Sequence, residues 1–292
     1  MLSQQIANGL FLGAVYALFA IGYTLVFGVL DILNLAHAAV FMAAAFVALV
    51  LNAAGVPLLA ALLLAMFFAG MLGILVDRVA FAPLRRRNAG TLVPLISSIG
   101  VAIIIEATVR GVFGIDERHF PRTPAASVAL HAGSITFTAL DVAIFATALV
   151  LMAVLAYVMR ATALGRNIRA VAEDRVAAAL LGIDLERTIA LTFFIASALG
   201  GAAGVLVGLQ YDSVTTSMGS RIELRGLAVI ILGGMGSITG AVIGGFILGA
   251  VETLSIAYVG SQWRDALAFG VMFLILILRP TGILGKRALR SA

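Results

Sequence analysis

The sequence predicts an all-α polytopic membrane protein with about eight transmembrane helices and one or two broken or re-entrant segments. Hydrophobic residues make up 62% of the 292 residues and charged residues 11%, whereas soluble proteins average roughly 45–50% and about 25%. Long apolar runs between short polar breaks match the roughly 20 residues that a helix needs to cross a bilayer. Membrane β-strands would instead alternate in polarity. We therefore expect a single transmembrane domain over residues 1–292.

Eight apolar runs follow one another along the chain. The predicted spans are 6–29, 38–51, 58–76, 91–113, 141–159, 188–209, 226–251 and 262–278. Glycines four residues apart, at Gly9 and Gly13 and again at Gly200, Gly204 and Gly208, predict faces on which another helix backbone approaches closely. No charge precedes Asp31, so the positive start of a cleavable signal peptide is missing and we expect the first run to be retained.

The positions of arginine and lysine predict which loops face the cytoplasm, because cytoplasmic loops carry an excess of these residues. The basic segments are the loop 77–88, the segment 160–187 and the tail with Lys286, Arg287 and Arg290. The segment 114–136 holds only two arginines and is expected outside. Within it, residues 128–130 and 135–137 predict a small β-hairpin.

Two breaks, at 31–37 and 233–240, complicate the count of crossings. If 211–220 is outside and the tail is inside, an odd number of crossings separates them, yet two apolar runs are visible. Either 226–251 is re-entrant or it hides a third crossing, and the glycines favour the re-entrant alternative because protein or water can surround non-helical backbone at membrane depth. The N-terminus is then outside, unless the first break changes the count.

The segment 160–187 carries nine of the 33 charged residues and lies between two apolar runs. Residues 170–181 are rich in helix-forming Ala and Leu and predict one short helix, with Gly182 as its C-terminal stop. On that helix Val176, Ala179, Leu180 and Ile183 fall on one side at helical spacing. The segment therefore has the pattern of a knob that fits the groove of a soluble partner. A solvated connector is the alternative, and the pattern alone does not separate the two.

Five sequence motifs resemble those of LivH-type permeases, the membrane subunits of ATP-driven branched-chain amino acid importers. The motifs are GRNIRAVAEDRVAAALLGI at 165–183, NLAH at 34–37, APLR at 82–85, LGGMGS at 232–237 and RPTGILG at 279–285. Each motif is weak, but their order and spacing cover nearly the whole chain. One departure is Ala38, where the family usually has Gly. The added methyl group could narrow the backbone approach there.

The resemblance implies a permease of the bacterial inner membrane that works with a second, homologous permease, two cytoplasmic ATPases and a periplasmic substrate-binding protein. It also implies that the segment 160–187 contacts the ATPases. The coupling candidates are Arg169, Glu173, Asp174, Arg175, Val176, Ala179, Leu180, Gly182 and Ile183.

The two breaks also supply candidates for the translocation pathway. Discontinuous helices expose half-helix ends whose partial charges and free backbone groups can meet a polar solute. The candidates are Asn34, His37, Gly233, Gly234, Gly236 and Ser237. The alternative for the glycines is close helix packing, and for His37 it is a hydrogen bond to a neighbouring helix. No second His lies near His37 in sequence, so a metal site is unsupported.

The sequence contains no Gly-x-x-x-x-Gly-Lys-Ser/Thr loop, so we expect ATP to be used by partner subunits, with no cofactor bound by this chain. No catalytic constellation suggests an enzyme. Urea, short amides or other small solutes are alternative cargoes in the same transporter class. An ion-coupled secondary transporter is the alternative of a different class. It would need an intramembrane acid, for which Glu106 is the candidate, although Glu106 and Arg110 are spaced as an ion pair on one helix.

Overall fold

A computed structural model describes residues 2–87, 89–90, 92–121, 128–132 and 135–285. The elements in chain order are α1 Leu2–Leu30, α2 Ala36–Ala53, α3 Leu58–Val76, α4 Ala82–Arg86, α5 Leu92–Phe113, β1 Ala129–Ala132, β2 Ile135–Thr138, α6 Ala139–Ala161, α7 Ala163–Glu173, α8 Arg175–Leu180, α9 Leu185–Gln210, α10 Met218–Gly233, α11 Ile238–Tyr258 and α12 Arg264–Leu278. A π-helical turn, Asp77–Phe81, joins α3 to α4.

Within the described residues, eight helices are long and apolar enough to cross a membrane. They are Leu2–Leu30, Ala36–Ala53, Leu58–Arg86, Leu92–Phe113, Ala139–Ala161, Leu185–Gln210, Ile238–Tyr258 and Ser261–Leu278. The predicted all-α polytopic fold is therefore confirmed. The small hairpin is confirmed as well, because β1 and β2 pair antiparallel with Leu130 opposite Phe137.

Three helices form the centre of the bundle. About 83% of the most apolar stretch of α1 and of α9 is buried, and α2 is nearly as enclosed, whereas only 6% of the last span is buried. The outer helices α5, α6 and α12 expose rows of Leu, Ile, Val and Phe. Exposed apolar side chains on a spanning helix are expected where it faces hydrocarbon.

Glycine lets the central helices approach closely. A methyl group on Gly9 or Gly13 of α1 would lie 2.9 Å from Ala250 Cα or 2.8 Å from Phe246 Cα of α11. On α9, one at Gly200 would lie 2.6 Å from the His37 ring, and one at Gly204 would collide with the Phe41 carbonyl. The glycine spacing thus marks packing faces, as predicted.

Contacts between distant segments sort the loops onto the two ends of the bundle. The Gln4 side chain exchanges hydrogen bonds of 2.7 and 2.8 Å with the backbone of Thr136 in β2. At the opposite end, Arg78 meets Glu186 at the start of α9, 3.2 Å apart. The arginine-rich end is cytoplasmic by the positive-inside rule, so the N-terminus lies at the outer end together with the hairpin.

The segment 226–251 is not re-entrant. It belongs to two helices, α10 and α11, which reverse direction through the turn 234–237. That turn reaches the cytoplasmic end of α1, because a methyl group on Gly28 would lie 3.8 Å from the Gly236 carbonyl oxygen. The favoured alternative is therefore wrong, and α10 is the hidden third crossing. It contains 16 residues, and its first turns carry Arg221, Glu223 and Arg225.

Several predictions lie wholly or partly outside the described residues. The tail residues Lys286, Arg287 and Arg290 are outside them, as are residues 88 and 91 at the edges of a predicted loop and span. Residues 122–127 and 133–134 of the segment 114–136 are also outside. The first break is shorter than predicted, since α2 begins at Ala36 and His37 lies in its first turn.

Candidate functional site

The segment between α6 and α9 folds as two short helices. We predicted one helix over 170–181, and this is wrong, because Asp174 adopts an extended backbone (φ −153°, ψ 113°) between α7 and α8. Its Oδ1 atom accepts hydrogen bonds from the N–H groups of Val176 (2.7 Å) and Ala177 (3.0 Å). Aspartate is favoured at this capping position, and the side-chain bonds offset the break in the helix.

Gly182 ends α8 as predicted. Its φ is +80°, in the left-handed region where glycine carries no side-chain penalty. The Gly182 N–H donates to Ala179 O and the Ile183 N–H to Ala178 O, at 3.0 and 3.1 Å. These two bonds are the pair that closes a helix in the Schellman motif.

An apolar knob projects from α8. The residues Val176, Leu180 and Leu181 are 72%, 85% and 79% exposed, and Ala179 is exposed as well. We did not predict Leu181, although its apolar character beside Leu180 was a signal. Ile183 differs from the prediction, because it packs against the hydrophobic core. We call Val176, Ala179, Leu180 and Leu181 the α8 knob.

Arg175 holds the α8 knob to α1 and is turned into the protein. Its Nη2 donates a 2.8 Å hydrogen bond to the carbonyl of Val29, in the last turn of α1. A helix end leaves such carbonyls without intrahelical partners, and a cation there is favourable. Burial holds the pKa of the Arg175 guanidinium below its usual value, although the nearby Asp31 carboxylate partly offsets this. Arg175 is therefore an anchor at this end of the bundle.

The rest of the segment is attached on two further sides. In α7, Gly165, Ile168 and Val171 are buried, and Gly165 lies against the backbone of Met159 in α6. At the start of α9, Glu186 meets Arg78, Arg85 and Arg86 at 3.2, 3.7 and 3.8 Å. The segment is thus attached to α1, α6, α9 and the basic loop.

Two charged coupling candidates, Arg169 and Glu173, are exposed and line a cytoplasmic groove of about 480 Å³. Thr24 and Gly28 of α1 and Gly236 of the α10–α11 turn also line it. The groove therefore places part of the predicted pathway beside part of the predicted coupling surface.

The pathway candidates of the first break are buried and packed. Asn34 is 3% exposed, and its Oδ1 accepts a 3.2 Å bond from the Ala36 N–H at the start of α2. His37 is 1% exposed, and its ring lies between Gly22 and Gly200. Neither ring nitrogen has a partner with hydrogen-bond geometry in the described part of the chain, although Phe19 backbone lies nearby. Phe19 belongs to α1, so the ring does meet the backbone of a neighbouring helix, and a hydrogen bond between them stays a prediction.

The candidates of the second break also shape the backbone. Gly234 has a φ of +104° and lies against Gly285, where a side chain would collide with the returning chain. Gly233 accepts a 2.9 Å bond from the Leu284 N–H. Ser237 caps α11, its Oγ accepting from the Gly240 N–H at 3.0 Å. Gly236, with a φ of +82°, lines the cytoplasmic groove.

A charged cluster at the outer end was missed by the sequence analysis. The Glu252 side chain in α11 has no exposed surface and pairs with Arg264 and, at 3.5 Å, with Arg225 of α10. Arg225 also meets Asp265, 3.0 Å away. The available signal was the four-residue spacing of Arg221 and Arg225, which fall between the predicted outside segment 211–220 and the predicted span 226–251.

Two further expectations concern charged residues. Glu106 and Arg110 form no ion pair with each other, although both are described, so the predicted same-helix pair is wrong. Within the described residues, no three His, Asp or Glu side chains lie together as a metal site would require.

Comparisons with known proteins cover almost the entire chain. Residues 5–276 match the model of a family described as the permease component of the branched-chain amino acid transport system. The permease protein BraD of the Pseudomonas aeruginosa high-affinity branched-chain amino acid transport system is 36% identical, over 97% of this chain and 95% of BraD. LivH of Escherichia coli K12 is 38% identical over the same shares. The autoinducer 2 import permease LsrC of Klebsiella pneumoniae is 32% identical over 42% of this chain and 38% of its own length. No solved structure matches.

Proposed function

The chain belongs to the family of permease components of branched-chain amino acid transport systems, and from this premise we propose that it is the translocation subunit of an ATP-driven importer of leucine, isoleucine and valine. The observation that carries the proposal is similarity along the whole length to BraD and LivH, both named as permeases of such systems. The eight apolar spans fit a multi-pass membrane protein. We place it in the bacterial inner membrane.

We propose four kinds of contact for this subunit: a second, homologous permease, two cytoplasmic ATPases, a periplasmic substrate-binding protein and the surrounding lipid. The α8 knob supports the ATPase contact, because exposed Leu and Val side chains on the arginine-rich end are not expected to remain in water. A short helix with apolar anchors fits a groove on a partner.

In the proposed mechanism the knob receives the force of ATP-driven closure of the ATPases. The partner acts through different affinities for two conformations of the permease, as any coupled ligand must. Arg175 passes a shift of α8 to the end of α1, and Glu186 passes it to the basic loop. A rigid connection of this kind allows a small displacement to reorient packed helices.

This chain has no phosphate-binding glycine loop, which supports a division of labour in which partner subunits bind and hydrolyse ATP. For the pathway, Gly236 has the best support among the predicted residues, since it lines the cytoplasmic groove. Asn34, His37, Gly233, Gly234 and Ser237 would act indirectly, by fixing the helix ends around a pathway.

A second solute class is favoured by one observation. LsrC, which resembles part of this chain, is named as a permease for autoinducer 2. An importer of another small polar solute is therefore the alternative cargo assignment. Both alternatives use the same permease and the same ATPases, so they differ only in the solute that the binding protein delivers.

The test measures thermal stabilisation of the cognate binding protein and uptake by the reconstituted transporter. We expect leucine, isoleucine and valine to raise the melting temperature of the binding protein. We also expect leucine uptake to require ATP on the side of the membrane where the ATPases are bound. Stabilisation by urea or a sugar derivative, with none by the three amino acids, would replace the cargo assignment. Uptake that continues after depletion of the ATPases would replace the transporter class with an ion-coupled one.

A further inference from the structure

A cavity of about 360 Å³ opens at the outer end of the bundle, between the loop after α9 and the helices α10 and α12. Its volume lies within the roughly 300–1,000 Å³ of small-molecule pockets. The cavity is deep, because its wall includes Tyr16, which lies halfway along α1 and is 2% exposed. One turn further along α1, the Phe19 ring contacts Gly226 of α10, and its centroid lies 5.0 Å from that of the tilted His37 ring.

Three arginines line the cavity. Arg221 and Arg225 are four residues apart on α10 and so share a face of the helix. Arg225 and Arg264 are held by the buried carboxylate of Glu252. Arg264 also donates 3.3 Å bonds to the hydroxyls of Tyr16 and Tyr211. Arg221 has no ion pair within the described part of the chain, so its guanidinium is available to a ligand.

The same cavity also offers a carboxylate and an apolar surface. Glu117, from the loop after α5, lines it and accepts a hydrogen bond from the Ser213 hydroxyl. Val207, Met218 and Ile222 contribute apolar side chains. These three features complement the three parts of a branched-chain amino acid. The cation matches its carboxylate, the anion matches its ammonium group, and the apolar wall matches its side chain.

We propose that this outer cavity binds one free branched-chain amino acid as a zwitterion, with its carboxylate on Arg221, its ammonium on Glu117 and its side chain against Val207, Met218 and Ile222. The nature of the solute rests on the proposed function. Such a site has a physical purpose, because a zwitterion leaving a binding protein loses its polar partners, and a buried charge without partners is costly.

A carboxylate on Arg221 could also come from an acidic side chain of the soluble binding protein. That source would use the arginine but would bring no ammonium group to Glu117. The presence of both Arg221 and Glu117 in the cavity therefore favours the free amino acid. Ligands that lack either the carboxylate or the ammonium group can distinguish a free amino acid from an acidic side chain of the binding protein.

The experiment measures binding of leucine, leucinamide and 4-methylpentanoate to the full-length chain, purified with its co-purifying subunits in lipid nanodiscs without the binding protein. Leucinamide lacks the carboxylate, and 4-methylpentanoate lacks the ammonium. We expect Arg221→Gln to weaken leucine and 4-methylpentanoate about tenfold and to spare leucinamide. Glu117→Gln should weaken leucine and leucinamide by a similar factor and spare 4-methylpentanoate.

Two exposed charges at the same end serve as matched controls. Arg110→Gln removes a positive charge and Asp116→Asn a negative charge at residues that do not line the cavity. The affinities for leucine, leucinamide and 4-methylpentanoate should stay unchanged in both variants. Equal leucine binding in all variants, or no leucine binding by the unmodified protein, would overturn the proposal. Association of the same variants with the binding protein is measured separately, and an Arg221→Gln variant that loses this association but binds leucine normally would also overturn the proposal. ATP-driven leucine uptake is measured in parallel, because uptake without cavity binding would reject the cavity alone, and cavity binding without uptake would reject the proposed function alone.

Discussion

The two ends of the bundle both gather arginines around one glutamate, but in opposite surroundings. At the outer end, Arg225 and Arg264 converge on Glu252, whose side chain is fully buried. At the cytoplasmic end, three arginines meet Glu186, whose side chain is 38% exposed. The buried carboxylate fixes arginines at the wall of a recess, whereas the exposed one joins two chain segments beneath a projecting knob. A recess suits a small solute, and a projecting apolar knob suits a protein.

The largest expected difference between the two ends is in stability. Glu252→Gln leaves Arg225 and Arg264 without their buried counter-charge, and removing one partner of a buried pair costs about 3–5 kcal/mol. Glu186→Gln removes an exposed acceptor and should cost about 0–1 kcal/mol. Thermal unfolding of both variants in the same detergent measures the difference. Equal shifts in melting temperature would show that the buried cluster around Glu252 and the exposed cluster around Glu186 contribute equally to stability.

The next effect concerns transport. Leu180→Asp places a charge on the α8 knob and should reduce ATP-driven leucine uptake at least tenfold, because a buried unpaired charge at the interface costs more than 1.4 kcal/mol. Stability should be unchanged, since Leu180 is 85% exposed. Leu130→Asp makes the same change in the hairpin of the outer end, where Leu130 is 37% exposed, and should leave ATPase co-purification intact. Normal leucine uptake by the Leu180→Asp variant would show that the segment 160–187 is only a connector between helices.

A smaller effect is expected at the end of the α8 helix. Gly182→Ala places a side chain on a residue with a φ of +80°, which costs about 1 kcal/mol or more. The strain should loosen the knob without unfolding the bundle. We expect increased hydrogen exchange at the N–H groups of Gly182 and Ile183, with unchanged exchange in α1. Matching exchange in the variant and the unmodified protein would show that the closing bonds do not depend on glycine.

The apolar runs predicted the spans because each run is local and its length is set by the bilayer. Hydropathy failed at α10 for a physical reason. Its first turns carry Arg221, Glu223 and Arg225, and charges are acceptable there because Glu252 and Asp265 lie near Arg225 from distant parts of the chain. A window of neighbouring residues contains no information about such partners, so the outer cavity could not be predicted.

The segment 160–187 shows a different limit of prediction from sequence. Helix propensity predicted one helix over 170–181, although Asp174 is a favoured capping residue and could have predicted the break. Gly182 was predicted correctly because a left-handed residue after a helix is a local requirement. The inward positions of Arg175 and Ile183 depend on α1 and on the core. Which residues of the segment are exposed was therefore a question that only the packing of the bundle could answer.

Single-cysteine cross-linking tests the central claim most directly, since the chain contains no cysteine of its own. Leu180→Cys and Val176→Cys place a thiol on the α8 knob, Ile183→Cys places one toward the core, and Leu130→Cys places one at the outer end. With a short thiol-to-lysine cross-linker we expect the ATPase subunit to be captured by the first two variants and not by the other two. Capture from Leu130→Cys, or none from Leu180→Cys and Val176→Cys in an intact complex, would contradict coupling through the knob.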